Sequence, residues 1–392
     1  MIVKRKKLGD ILNFKRGYDL PSSDRINGDI PVVSSAGITD FHNEFKKDGE
    51  GIITGRYGTL GQIFYVNDKY WPLNTTLYIT DFKGNFPKFI FYFLKTLKLE
   101  RFNGAAAVPG LDRNVIHKAN VLFIEDLNLQ KTIASILSSY DELIENNNHR
   151  IKLLEEMAEE IYKEWFVRFR FPGYKNAKFI DGLPEGWEYK RVDEFNSFKM
   201  SEAKLKKFNG TKTYLATADI SGIDISSSGE QIDWENKPSR AQLVPELNSV
   251  FFARMSNTYK VLVFADANKE LIDELALTSG FLGLKAINEN ALPFLFWFIK
   301  STHFHNYKDV YANGATQVSL TNEGFHMIKL VEPTLEVIED YGKITTSFLN
   351  EILILNKKNQ VLQQTRDLLL PRLISGKLSI EHLVEETKTV KN

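Results

Sequence analysis

At 392 residues the chain has room for two or three domains, and its 43% hydrophobic and 26% charged content is that of an ordinary globular protein. The absence of cysteine excludes a disulfide framework and a thiolate zinc site and suits a cytoplasmic protein. A formal net charge of +0 argues against a chain that coats nucleic acid by charge alone, although residues 1–127 carry an excess of roughly four positive charges and the segment after them is slightly acidic.

In chain order, the first segment, "MIVKRKKLGD", is basic with no apolar stretch behind it, so no secretory signal is expected. The runs "FIFYFL" from Phe89 and "LPFLFWFI" from Leu292 fall far short of the roughly 20 residues a membrane span needs. Residues 1–127 mix short β-branched and aromatic runs such as "GIITG" and "TLYIT" with turn residues, an α+β pattern. Residues 128–170 lack Gly and Pro until the end, and their apolar positions recur at steps of four and three: Ile133, Leu137, Tyr140, Ile144, Ile151, Leu154, Ala158, Ile161 and Trp165. That spacing predicts a heptad seam, with Asn147 in one polar place. A linker at 171–186, opened by Pro172 and Gly173 as a helix stop, leads to a second α+β segment over 187–333. A second heptad helix over 334–375 follows, with Phe348, Ile352, Leu355, Leu362, Leu369 and Leu373 in its seam, Asn359 as its polar member, and Pro371 expected to kink or end it. The tail, 376–392, is polar.

The two halves repeat. "NGDIPVVSSAGI" at Asn27 is answered by "NGTKTYLATADI" at Asn209, "GRYGTLGQI" at Gly55 by "ARMSNTYKV" at Ala253, and "FYFLK" at Phe91 by "FWFIK" at Phe296. "GAAAVPGL" at Gly104 is answered by "GATQVSL" at Gly314, each followed by a His, His117 and His326. Order is preserved while the offset grows from about 182 to about 210, as loop insertions in a duplicated domain would make it. A helix of about 40 residues is some 60 Å long, too long for one small domain to bury. The economical partner for each apolar stripe is the other copy, giving an antiparallel coiled coil in which Asn147 and Asn359 penalise shifted registers.

Catalytic patterns are scarce. There is no phosphate loop, dinucleotide fingerprint, zinc-protease helix or nucleophile elbow. "HFH" at His303–His305 lacks a third ligand nearby, and no metal is expected. Asp224, Glu235 and Lys237 imitate a magnesium nuclease arrangement, without a counterpart in the first copy. The loops after "GIITG" and "SVFFA" combine Gly, Asn or Thr with basic and aromatic residues. They nominate Arg56, Tyr57, Thr59, Asn74, Arg254, Asn257, Tyr259 and Lys260 for DNA contact, since Arg and Lys read guanine and Asn reads adenine in the major groove.

The stretches "QKTIASILSSYDELIENNNHRIKLLEEMAEEIYKEWFVRFRFPG", "GLPEGWEYKRVDEF" and "TRDLLLPRLISGKLSI", in this order around two globular halves, resemble the specificity subunit of type I restriction-modification enzymes over essentially the whole chain. The resemblance implies a non-catalytic subunit whose two target recognition domains are joined by two long helices and read the two halves of a bipartite double-stranded DNA sequence. It also implies two methyltransferase subunits docked on the helices, restriction subunits joined through the complex, and S-adenosylmethionine, ATP and Mg²⁺ held by those partners. One departure is that the first half begins at "RKKLGDI" without its own "PEGW". Because recognition domains vary with the sequence they read, the resemblance assigns no base contacts. A coiled-coil scaffold carrying two protein adaptors, and a nuclease using Asp224 and Glu235, are the competing readings.

Overall fold

A computed structural model describes residues 3–102, 110–314 and 318–380; the small-residue phrases at 104–109 and 315–317 and the end of the polar tail lie outside the described residues. The chain forms two compact units, Met1–Ile144 with Val361–Asn392, and Glu145–Gln360. The fold is mixed α+β. Among the described residues no helix is long and apolar enough to cross a membrane.

In the first unit, an antiparallel sheet runs in the order Asn13–Arg16, Thr76–Asp81, Gly51–Gly55, Ile63–Val66. Gly51–Gly55, "GIITG", is buried along its whole length, which is why it reads as an unbroken apolar run rather than an alternating one. A second sheet sets Ile30–Ser34 between Gly37–His42 and Trp71–Pro72, the last pair parallel. The aromatic segment becomes a helix, Pro87–Thr96, with Pro at its first turn where the missing N–H costs nothing, and it buries Phe89, Ile90, Tyr92, Phe93 and Leu94. A two-stranded ladder of Val3–Lys7 with Asn120–Ile124 closes the domain.

The second unit repeats this plan. Its first sheet runs Phe198–Met200, Phe281–Ala286, Ser249–Ala253, Val261–Phe264. In its second sheet, Lys212–Leu215 again lies parallel to a later strand, Leu275–Thr278. The aromatic helix is Ala291–Lys300, and Glu188–Arg191 with Lys329–Glu332 forms the closing ladder. Gly51–Gly55 and Ser249–Ala253 occupy the same central place in their sheets at the offset the sequence repeat predicts.

Each closing ladder carries a lysine–glutamate ion pair, and the two lie at different depths. In the first, Glu125 meets Lys4 at 2.5 Å and also Lys6, with a third of its side chain exposed. In the second, Glu332 is 4% exposed and holds Lys190 Nζ at 2.6 Å while accepting from the backbone N–H and hydroxyl of Ser197 at 2.9 and 3.0 Å.

The first long helix is α-helical over Leu127–Tyr162 and widens into a π turn over Lys163–Val167. The stop therefore comes before Pro172, and Phe169 at φ 58 leaves the helix. A π turn rotates less per residue, so consecutive aromatics can share one face: Trp165 packs on Tyr341 at 5.8 Å and Phe166 on Phe294 at 4.9 Å. The second long helix, Leu335–Ile374, runs past Pro371 instead of breaking there. Only one turn remains beyond the proline, and Gly376 at φ 72 ends it, so the lost backbone bond falls where the helix is already fraying.

Both long helices contribute to both units. In the first, Ile133, Ala134 and Leu137 share a core with Leu373 and Ile374, and Asp141 pairs with Arg366 at 2.5 Å. In the second, Asn147 Nδ2 donates to Asn359 Oδ1 at 2.8 Å, Arg150 pairs with Glu351 at 2.8 Å, and Tyr341 donates to the Ala158 carbonyl at 3.1 Å. Rising numbers on one helix meet falling numbers on the other, so within this unit the helices run antiparallel. Asn359 Nδ2 also donates to Asn148 Oδ1 at 2.8 Å, so the buried amides satisfy each other across the seam.

Candidate nucleic-acid interface

Each copy presents a loop directly after its central strand. In the first copy Arg56 N and Tyr57 N both donate to the Thr75 carbonyl, at 2.7 and 3.2 Å, and Leu111 N donates to the Arg56 carbonyl at 2.9 Å. The loop is tight: a Cβ on Gly55 would sit 1.9 Å from the Thr59 carbonyl oxygen, so only glycine fits. This brings Arg56, Tyr57, Thr59 and the neighbourhood of Asn74 together. The Arg56 guanidinium lies 4.5 Å over the exposed Tyr57 ring and makes no ion pair among the described residues. Thr59 is exposed, while half-buried Asn74 donates to Asp19.

The second copy spends its basic residues differently. Arg254 Nε and Nη1 donate to the carbonyls of Phe281 and Leu320, each at 3.0 Å, and Nη2 donates to Asn322 Oδ1 at 2.8 Å. Burial lowers its pKa, as expected of a guanidinium working as an internal brace. Lys260 Nζ donates to the Thr217 carbonyl at 2.7 Å, and the fully buried Lys308 donates to the carbonyls of Met255 and Thr258 at 2.8 and 3.3 Å. Asn257, at φ 54, and Tyr259 are the exposed members of the loop. Of the four candidates here, two hold the loop and two face outward.

The repeated histidines also diverge. His117 Nε2 accepts from Phe14 N at 2.9 Å and its ring stacks on Phe14, whereas His326 Nδ1 meets Asp193 Oδ2 at 2.5 Å. Gly9 explains part of the difference, since a side chain there would start 3.1 Å from His117 Cβ. Of the "HFH" pair, His303 packs on Tyr307, while His305 is buried with its ring 4.2 Å from Tyr259. Asp224 feels Glu155 and Lys300 as charged neighbours and has its pKa raised by burial, while Lys237 donates to the Ala241 carbonyl at 3.3 Å. Among the described residues no group of His, Asp and Glu is placed to hold a metal.

Burial pushes His305 down to about 4. The unfolded chain takes up that proton below about 6.5 and the folded chain only below about 4, so stability is complete above the first value and lost as pH falls towards the second. Urea unfolding at pH 5 against pH 7.5 is expected to show a loss of roughly 2 kcal/mol that His305→Gln removes. An unchanged pH dependence in the variant would show that the ring does not carry it.

The comparisons with known proteins agree. Residues 3–156 match the family model described as the type I restriction modification DNA specificity domain. Over those residues the chain carries a type I restriction modification DNA specificity domain. It is 23% identical to the type I restriction enzyme MjaIX specificity subunit of Methanocaldococcus jannaschii, covering 97% of this chain and 94% of that one. It is 22% identical to the HindI specificity subunit of Haemophilus influenzae, covering 96% and 99%. The S subunit of a type I restriction-modification system from M. genitalium shares the fold, with a TM-score of 0.65 at 16% identity over 95% of this chain and 96% of that one. Specificity subunits of this family are non-catalytic, bind DNA and assemble with other subunits.

One set of DNA-facing candidates escaped the sequence reading. The segment Lys204–Lys212, "KLKKFNGTK", carries four lysines beside Phe208 and near Trp234, a basic and aromatic mixture that was legible but absent from the repeat used to choose the loops.

Proposed function

We propose that this subunit reads a bipartite double-stranded DNA target, residues 1–127 reading one half and residues 187–333 the other. The helices at 128–170 and 334–375 act as the spacer between the readers, and 171–186 as the linker into the second. The observation that carries this reading is the repeated topology: two copies of one sheet-and-helix plan, each followed by a long helix. Two such readers held apart contact two short segments on the order of 10 bp apart and ignore the bases between them.

Arg56, Tyr57, Thr59 and Asn74 in the first copy, and Asn257 and Tyr259 in the second, are the side chains that reach bases. Arg254 and Lys260 hold the second loop in shape. The Asn147 and Asn359 amides set the helix register. Two methyltransferase subunits dock on the helices, restriction subunits join through the complex, and S-adenosylmethionine, ATP and Mg²⁺ are bound by those partners in the cytoplasm.

Mapping methylated adenines in a host that carries this chain with its partners tests the proposal. Two fixed short elements separated by a gap of constant length and any sequence are expected. A single uninterrupted element overturns it.

A further inference from the structure

Resting on that reading, we propose that the second sheet of the second reader carries a phosphate-gripping face, separate from the loops nominated for base contact. In the second copy the face is formed by Lys204, Lys206, Lys207, Lys212 and Lys237 around Phe208 and Trp234.

The backbone under these lysines is ordered. Lys204 bridges to Leu243, Leu205 N donates to the Gln242 carbonyl at 2.8 Å, and Leu205 and Phe208 pack on the core of Tyr214, Ile232, Ala241 and Ala276. With its apolar members turned inward, the segment leaves Lys204, Lys206 and Lys207 exposed. Phe208 and Trp234 meet edge to face at 5.9 Å; Lys212 Nζ lies 5.7 Å from the Phe208 ring and Lys237 Nζ lies 5.1 Å from the Trp234 ring. None of the five makes an ion pair among the described residues, in contrast to Lys190, Lys269, Lys285 and Lys300 of the same unit; Lys212 and Lys237 each donate to a backbone carbonyl, of Asp273 and Ala241, so Lys204, Lys206 and Lys207 carry the free charge. Of the two acids on the loop between the sheet strands, Asp233 and Glu235, Asp233 accepts from Asn236. Ring faces fix an ammonium group without neutralising it, so the charge stays available to an outside anion.

The first copy has lysines over rings as well, Lys46 at Trp71 of its second sheet and Lys15 and Lys47 beside Tyr18 and Tyr78 at its first. Lys46 Nζ lies 4.4 Å from the Trp71 ring, Lys47 Nζ lies 5.5 Å from the Tyr78 ring and Lys15 Nζ lies 5.9 Å from the Tyr18 ring, while the hydroxyls of Tyr18 and Tyr78 bond at 2.9 Å. These lysines also lack an ion pair among the described residues, although Glu44 and Asp48 flank Lys46 and Lys47 in sequence. The second copy, with four lysines in nine residues and no acid among them, is the stronger grip. A ligand for such a face is a row of phosphates on a duplex backbone, which rewards several unpaired positive charges and asks nothing of sequence.

The test measures DNA affinity of the assembled complex against salt concentration, on duplexes with and without the bipartite target. For Lys204→Ala, Lys206→Ala and Lys207→Ala combined, the slope of log affinity against log salt is expected to fall by about two to three, equally on both duplexes. The methylated sequence stays as in the unsubstituted complex. Lys269→Ala, which removes a lysine already paired with Asp266, is the control and leaves the slope nearly unchanged. An unchanged slope in the triple variant overturns the proposal, and so does an altered second half of the methylated sequence, which would make the lysines base readers. Failure of the underlying reading looks different: the unsubstituted complex would show no two-part target, while the non-specific duplex would still report on the lysines.

Discussion

Exchanging residues 1–127 for the first half of another subunit of the family, with both long helices kept, changes one half of the methylated sequence and leaves the other half and the gap as they were. On the proposed function, the half changes because the base contacts lie within the exchanged reader, and the gap stays because the helices that set it are untouched. Loss or gain of a half-site by exchange alters specificity by orders of magnitude, since each mismatched pair costs about 1–3 kcal/mol and several change together. The graft has a structural condition. Buried Gln130, on the retained helix, accepts from Phe86 N at 2.9 Å and donates to Asn85 Oδ1 and the Ile124 carbonyl, each at 2.8 Å. Tyr92 donates to Asp141 at 2.5 Å, and Asp141 also holds Arg366. A donor half without equivalents of Asn85 and Tyr92 strands these groups at about 1–3 kcal/mol each. Single-molecule or bisulfite-free adenine methylation maps check the outcome, and an unchanged target in a well-folded chimera would remove residues 1–127 from base reading.

Glu332→Ala is expected to destabilise the second unit by about 3 kcal/mol or more, while Glu125→Ala, at the end of the first copy's closing ladder, leaves stability nearly unchanged. Both carboxylates pair with lysine on the neighbouring strand, and they differ chiefly in depth. Removing Glu332 leaves the Ser197 N–H and hydroxyl without their acceptor and Lys190 with Glu188 alone, in a site where the carboxylate is 4% exposed. Removing Glu125 leaves Lys4 and Lys6 to water, although those two lysines hold its carboxyl down at about 2 in the intact protein. Calorimetry should show a melting temperature lowered by roughly 6–12 °C for the first variant. Equal losses for the two variants would show that burial is not what distinguishes them.

The sequence repeat was informative because strands and helices announce themselves through local periodicity. "GIITG" and "SVFFA" are apolar along their length because each is a central strand buried on both faces, and the offset between them is visible without coordinates. The heptads of Ile133 to Trp165 and Phe348 to Leu373 follow from the same local rule, and so does the polar place that Asn147 and Asn359 hold in them. Helix ends were less legible. Pro172 and Pro371 look like the stops, yet the first helix yields earlier to the packing of Trp165 and Phe166, and the second passes its proline because Gly376 is close behind.

Side-chain roles at the loops were not legible at all. Arg56 and Arg254 follow the same strand in the two copies, and nothing local separates them. Arg254 turns inward because the carbonyls of Phe281 and Leu320, distant in sequence, converge on its guanidinium, whereas Arg56 lies over Tyr57. Likewise, no pattern within "LVEP" tells that Glu332 is buried while Glu125 in "FIED" is less so.

By itself, then, the sequence determined the number of copies, their strand and helix order and the two helical seams, because these depend on the spacing of apolar residues along a few turns or one strand. Only the tertiary structure decided which charges are spent inside the protein and which remain for a partner. It also decided that Val361–Asn392 belongs with Met1–Ile144, because that grouping rests on contacts more than 200 positions apart, such as Asp141 with Arg366, that no local spacing encodes.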